Sequence, residues 1–299
     1  MVPFLGGGGI RICLDGTWYN IRLKAPLYYD GQGRMYPYPT VYTEGENRAS
    51  ISYDEAHRRW LFRLESQAKG VTLEVEGRAR SVPFWMGKFD GPYIVHGLYH
   101  SKEDLDIWGG FWEVGVSTVR LKAPNLETLT FQGPFLFDRA IHRVCLSETS
   151  ARAGLPLAFT ALYIFHPEFD LMLLHSDNPH PDVFSNFPFQ HQGRLNFPSR
   201  DEDFVFDGFE YSDEGGLQPG LYRLTGSYAE GQVDLQGEAY EFWPQVWKAH
   251  RGTWWDPNGR YTWGRAFIRW HGTITLRGET IEVKNAWGVG EFTRFEPGQ

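Results

Sequence analysis

Short runs in which apolar and polar residues alternate recur along the whole chain, separated by clusters of glycine, proline, asparagine and aspartate. A period of two is the mark of a strand with one buried face. It predicts strands over residues 18–23, 41–43 and 49–53 in the first half, and over 157–165, 169–175 and 204–211 in the second. Helical periodicity is nearly absent, with only residues 54–61 and 241–250 able to hold a helical turn. The glycine run at 6–9 lacks the Gly-Lys-Ser/Thr of a phosphate loop and reads as a flexible arm. Residues 176–198 combine prolines with phenylalanines and read as an ordered loop packed over a neighbouring surface, since a solvated linker has no use for phenylalanine.

The alternation itself repeats. Residues 61–91 reappear about 160 positions later: Leu61-Phe62-Arg63-Leu64 returns as Leu221-Tyr222-Arg223-Leu224, and Leu73, Val75, Gly77 and Ala79 return as Val233, Leu235, Gly237 and Ala239. Further on, Trp108-Gly109 matches Trp263-Gly264, and Thr118-Val119-Arg120-Leu121 matches Thr273-Ile274-Thr275-Leu276. An ordered series of this kind points to an internal duplication. With 299 residues, the chain has the length of two domains, placed at 1–147 and 157–299 with a small, polar linker between them. Eight to ten short strands per half predict an all-β protein, two tandem antiparallel barrels or sandwiches, closure being the usual way to hide strand edges.

Composition narrows the partners. Aromatic residues make up 16% of the chain and give each half a sizeable core, while the net charge of −8 and the lack of a basic stripe argue against a nucleic-acid partner. Two cysteines, Cys13 and Cys145, suit a reducing compartment. The amino terminus has no basic and apolar leader pattern, and no apolar run approaches the ~20 residues of a membrane span, so a cytoplasmic protein is expected. Nothing in the sequence sets the oligomeric state.

Metalloprotease, serine-hydrolase and Cys-x-x-Cys motifs are missing. His96 and His100, four apart, share a strand face and could be ligands, a proton relay or ordinary hydrogen-bonded histidines; no third ligand is indicated. The repeat ends carry more chemistry. An apolar, glycine-bearing strand delivers Asp138, Arg139, His142 and Arg143 in the first copy, and Glu291 with Arg294 in the second. A carboxyl held among aromatics resists ionisation and can protonate an alkene, whereas the same residues could equally be ion pairs closing each barrel. Asp138, Glu291 and His142 are the catalytic candidates. Arg139 and Arg143 are expected to orient substrate, and Trp85, Trp112, Tyr93, Tyr99, His96, Trp247 and Trp287 to line a pocket whose ring faces would stabilise a carbocation.

In these features, two β-rich halves with a glycine-containing strand at 284–290 followed by Glu291, the chain resembles the two-domain lipocalin-like (calycin) family of carotenoid 1,2-hydratase, kievitone hydratase and related Diels–Alderases. The resemblance implies two calycin-like barrels and a hydrophobic pocket acting on isoprenoid or polyketide-like substrates without a metal or redox cofactor. The expected function is a cofactor-independent hydratase, isomerase or cyclase acting on a hydrophobic small molecule. A non-catalytic carrier of such a ligand, and a carbohydrate-active protein with an open aromatic groove, are the alternatives.

Overall fold

The computed structural model describes residues 7–14, 17–24, 40–54, 56–81, 83–85, 98–99, 105–143, 158–177, 192–214, 219–242 and 260–296. Among them the protein is built from antiparallel strands and one 3-10 turn, Pro198–Arg200. The chain divides into two compact units, Met1–Arg80 with Glu113–Phe137, and Ser81–Trp112 with Asp138–Gln299. The expected linker falls outside the described residues. No helix among the described residues is long and apolar enough to cross a membrane.

Among the described residues ten strands precede residue 144: β1 (Gly7–Leu14), β2 (Thr17–Lys24), β3 (Thr40–Glu44), β4 (Asn47–Asp54), β5 (Arg59–Ser66), β6 (Val71–Ala79), β7 (Phe84–Trp85), β8 (Leu98–Tyr99), β9 (Leu105–Lys122) and β10 (Leu129–Arg143). Their sheet runs β1-β2-β3-β4-β5-β6-β9-β10, with β7 and β8 pairing onto β9. The glycine run enters this sheet: residues 7–9 pair with Lys24, Leu23 and Arg22 on β2, so the flexible-arm reading is corrected. The connection between Leu14 and Thr17 is Asp15-Gly16, a dipeptide suited to two-residue hairpins, and a hairpin can recruit glycines whose own propensity for strand is poor. The expected helical turn at 54–61 is also absent. Asp54 ends β4, a turn follows, and β5 starts at Arg59.

The second unit holds β11 (Ala158–Phe165), β12 (Asp170–Asp177), β13 (Gln192–Phe197), β14 (Glu202–Asp213), β15 (Leu221–Tyr228), β16 (Gly231–Phe242), β17 (Arg260–Leu276) and β18 (Glu279–Glu296). They close into an eight-stranded barrel in sequence order, β18 pairing with β11, which leaves no open edge. The sequence repeat is legible in the strands. Phe62 and Leu64 on β5 and their counterparts Tyr222 and Leu224 on β15 all take the more buried phase of the alternation. The end of the segment expected to be a loop is strand β13, all six of whose residues are buried. Its apolar positions are inside the barrel, and the outward polar ones are covered.

Arg194 shows how. Its guanidinium forks onto both oxygens of Asp203 on β14, and a third N–H donates to the Pro83 carbonyl at 2.9 Å, tying the segment beside β7 to the barrel wall. Arg194→Ala is expected to lower stability by about 2 kcal/mol, and Arg194→Lys to recover little of that, because an ammonium cannot make the planar fork. The midpoint of urea unfolding reads both. Full recovery by lysine would mean that charge alone, without fork geometry, holds this junction.

The barrel is plugged at one end. Phe169, Phe197, Phe204 and Tyr228 meet in successive ring contacts of 5.0–6.3 Å, and the Tyr228 hydroxyl donates to the Thr275 carbonyl. The middle is filled by Leu162, Leu171, Leu224, Leu235, Ile268 and Trp270. The opposite end is polar.

Candidate functional site

Two clusters place chemistry inside the sheets, one in each unit. In the first unit the odd-numbered residues of β9 from Glu113 to Leu121 face inward: Leu121 joins the core, Ser117 and Gly115 are buried, and Glu113 continues the same phase with 6% exposure. Glu113 is thus an acid in a core position of a long strand. The Trp60 indole N–H donates to its Oε2 at 2.7 Å. Trp60 comes from β5, stacks on Phe137 of β10 with ring centroids 3.6 Å apart, and meets Tyr53 of β4, its cross-strand partner, at 4.8 Å. Burial pushes the Glu113 carboxyl above the usual glutamate range; the Trp60 hydrogen bond and the more distant Arg58 charge pull it back only in part. The result is a buried carboxylic acid held by the indole of Trp60, itself packed between Phe137 and Tyr53.

In the second unit the polar end of the barrel holds Thr160, Tyr211, Asp213, Tyr222 and Arg294. A β-bulge between Phe206 and Gly208 shifts β14 by one residue, and this turns Phe209, Tyr211 and Asp213 inward. Asp213 accepts from the Tyr211 hydroxyl at 2.6 Å and from the Arg294 guanidinium, and Arg294 also donates to Thr160 Oγ1 at 3.1 Å. Arg294 lies over the Phe292 ring at 5.3 Å, and the His175 ring is 5.4 Å from that of Tyr211. Burial, and then the Asp213 charge, push the phenols of Tyr211 and Tyr222 well upward, so both remain neutral donors.

The expected site residues fall in several places. Asp138, Arg139, His142 and Arg143 lie on β10 and Tyr99 on β8, but their side chains are outside the described residues, as is that of Trp85 on β7. Tyr93, His96, His100 and Trp247 are outside altogether. Trp112 is buried, stacked on Phe84 at 5.0 Å and edge-on to Tyr163 at 5.0 Å. Glu291 faces away from the barrel interior. A one-residue register shift opposite Trp270 and Gly272 sets Ala286, Gly288, Gly290, Phe292 and Arg294 inside and Trp287 and Glu291 on the other face. Glu291 is bound there by Arg265, its cross-strand partner, at 2.7 Å. The ion pair expected between Glu291 and Arg294 is replaced by Glu291–Arg265 and Arg294–Asp213. Trp287 donates to the Tyr240 hydroxyl at 2.7 Å within an aromatic row that includes Phe165 and Phe267.

Sequence reasoning passed over Glu113, although two signals marked it. It shares the phase of Val119 and Leu121 on an alternating strand, and the repeat aligns it with Ile268, a fully buried core residue. A carboxylate where the sister copy has isoleucine is not a demand of the fold.

No family model and no curated sequence matches this chain. By fold it is similar to kievitone hydratase from Nectria haematococca, with a TM-score of 0.56 and 12% identity over 94% of this chain and 76% of that one. It is also similar to a Nitrosomonas europaea protein assigned as an AttH, with a TM-score of 0.54 and 11% identity over 93% of this chain and 77% of that one. At these identities the likeness is one of fold, and the chain shares the all-β architecture of those proteins over nearly its whole length.

Proposed function

We propose that the protein is a hydratase-type lyase or isomerase that protonates a carbon–carbon double bond of an apolar, isoprenoid-like substrate, with Glu113 as the proton donor. The observation that carries this reading is the Glu113 carboxyl itself, 6% exposed and oriented by the N–H of Trp60, whose ring packs against Phe137 and Tyr53. The fold shared with kievitone hydratase supports the reaction class. The Glu113 proton passes to one alkene carbon as the π bond breaks, and the positive charge left on the other carbon is stabilised by the ring faces, roughly 0.5–2 kcal/mol for each ring. Water then adds its oxygen to the cation and returns a proton to the Glu113 carboxylate, which completes hydration. Loss of a neighbouring C–H proton to the same carboxylate gives isomerisation, and attack by a second double bond, followed by loss of a proton from the new cation to the carboxylate, gives cyclisation. Electrons and protons balance in each case without a redox cofactor.

Asp138, directly after Phe137 on β10, is the second candidate donor, and His142 on the same strand a candidate to relay its proton. Glu291 stands less well in this role, since Arg265 neutralises it on the face away from the barrel interior. The test is incubation in heavy water with a detergent-dispersed acyclic carotenoid such as lycopene, followed by mass spectrometry of the recovered lipid. Deuterium on carbon, with or without an added oxygen, is the expected result. Tight binding of the carotenoid with no deuterium would favour a carrier and remove the catalytic reading.

A further inference from the structure

The barrel's polar end contains a donor with nothing to donate to among the described residues. Tyr222 is 3% exposed, and its hydroxyl has no hydrogen-bond partner among the described residues. Burying a hydroxyl without a partner costs stability, and phenylalanine would avoid that cost at nearly the same shape. The fold itself has no need of this hydroxyl, because the aligned residue of the first copy is Phe62, at the same inward position of β5. Tyr222 therefore carries a cost that its own sister strand does without.

The surroundings define what would relieve that cost. Tyr222 is the cross-strand partner of Asp213 on β14, so its side chain stands beside the cluster of Asp213, Arg294, Tyr211 and Thr160. That cluster is already balanced, Arg294 against Asp213. Arg294 retains 20% and Asp213 10% side-chain exposure, a graded path from solvent to the buried phenol. On its inner side the Tyr222 ring lies 6.0 Å from Trp270 and leads into the apolar core.

We infer that this end of the second barrel is a binding site, separate from Glu113, for an apolar molecule carrying one neutral oxygen acceptor, a ketone, aldehyde or alcohol, with the Tyr222 hydroxyl donating to that oxygen. An anionic head group fits less well, because a carboxylate would place a second negative charge beside Asp213 with Arg294 already engaged. The site neither requires nor performs the chemistry assigned to Glu113.

The probes are three isoprenoids of similar size, titrated against the full chain by tryptophan fluorescence: farnesylacetone, farnesoic acid and farnesene. Farnesylacetone is expected to bind Tyr222→Phe roughly fivefold more weakly than wild type, the loss of one neutral hydrogen bond, while farnesene binds both alike. Farnesoic acid is expected to bind wild type more weakly than the ketone. Equal ketone affinity in wild type and Tyr222→Phe, or no ketone binding at all, overturns the assignment. Thermal melting supplies a second reading: Tyr222→Phe is expected to melt at or above the wild-type temperature, whereas a clear fall reveals an internal partner for the hydroxyl and overturns it as well. Glu113→Gln is expected to leave ketone affinity unchanged, so failure here and failure of the hydratase reading are separable.

Discussion

Glu113→Gln is expected to reduce deuterium transfer to substrate by about 10²–10⁴-fold, the usual contribution of a positioned general acid. Glutamine keeps the acceptor for the Trp60 N–H and nearly the same volume, so the variant removes the transferable proton and little else. It is also expected to be more stable than wild type at neutral pH, and the sign follows from linkage. Burial raises the folded-state carboxyl above its unfolded value. Below the unfolded value both states are protonated and Glu113 costs nothing; as pH rises towards and through the folded value, the unfolded state releases its proton more readily and stability is lost. The advantage of Glu113→Gln should therefore be small near pH 4 and grow towards pH 7, read by thermal melts across that range. A merely structural carboxylate would give the opposite result, normal turnover with a lower melting temperature at neutral pH. Unchanged deuterium transfer would return the donor's role to Asp138, for which Asp138→Asn is the corresponding variant.

That pairing of lost activity with gained stability also bears on Trp60. Its indole N–H orients the acid, and its ring, stacked on Phe137, fills the core beneath it. Two functions converge on a residue that the alternation alone marks only as core.

Strand positions were legible because each buried face imposes its own period: β2, β3, β4 and β14 cover the runs read from alternation, and β11 and β12 cover theirs from the second residue on. Elements were misread where neighbouring structure, rather than local pattern, decides. Gly7 to Gly9 have no side chains to alternate, yet a hairpin partner makes them a strand. β13 alternates glycine, leucine and phenylalanine with glutamine, arginine and asparagine, but its prolines nearby and its covered polar face disguised it. Facing direction near the strand ends was invisible for a different reason. Single-residue register shifts on β14 and between β17 and β18 turn Asp213 in and Glu291 out, and a shift of one residue reverses every side chain beyond it. The glycine-bearing strand before Glu291 was correctly noticed as unusual; its glycines make room inside the barrel rather than delivering an acid to it.

Trp270→Ala tests that account of the glycines, and a loss of about 3–5 kcal/mol, at the upper end of that range, is expected. Trp270 is fully buried, and its ring occupies the space that side chains at Gly237 and Gly288 would need: a Cβ at Gly288 would lie 2.5 Å from the indole Nε1, and one at Gly237 2.9 Å from the ring. Large-to-small substitutions are tolerated when neighbours can move into the vacancy. Here two of the walls are strand backbone, locked into the ladders β15-β16-β17 and β17-β18-β11, with no side chain to swing inward. The indole N–H has no hydrogen-bond partner among the described residues, so the loss would be one of packing. With about 2–4 °C of melting temperature per kcal/mol for a unit of this size, the barrel transition should fall by roughly 6–20 °C. Trp270→Phe should cost much less, because a ring still spans the two glycines. A shift under about 2 °C for the alanine variant would show that the barrel can close over the gap, and the glycines would then need another explanation.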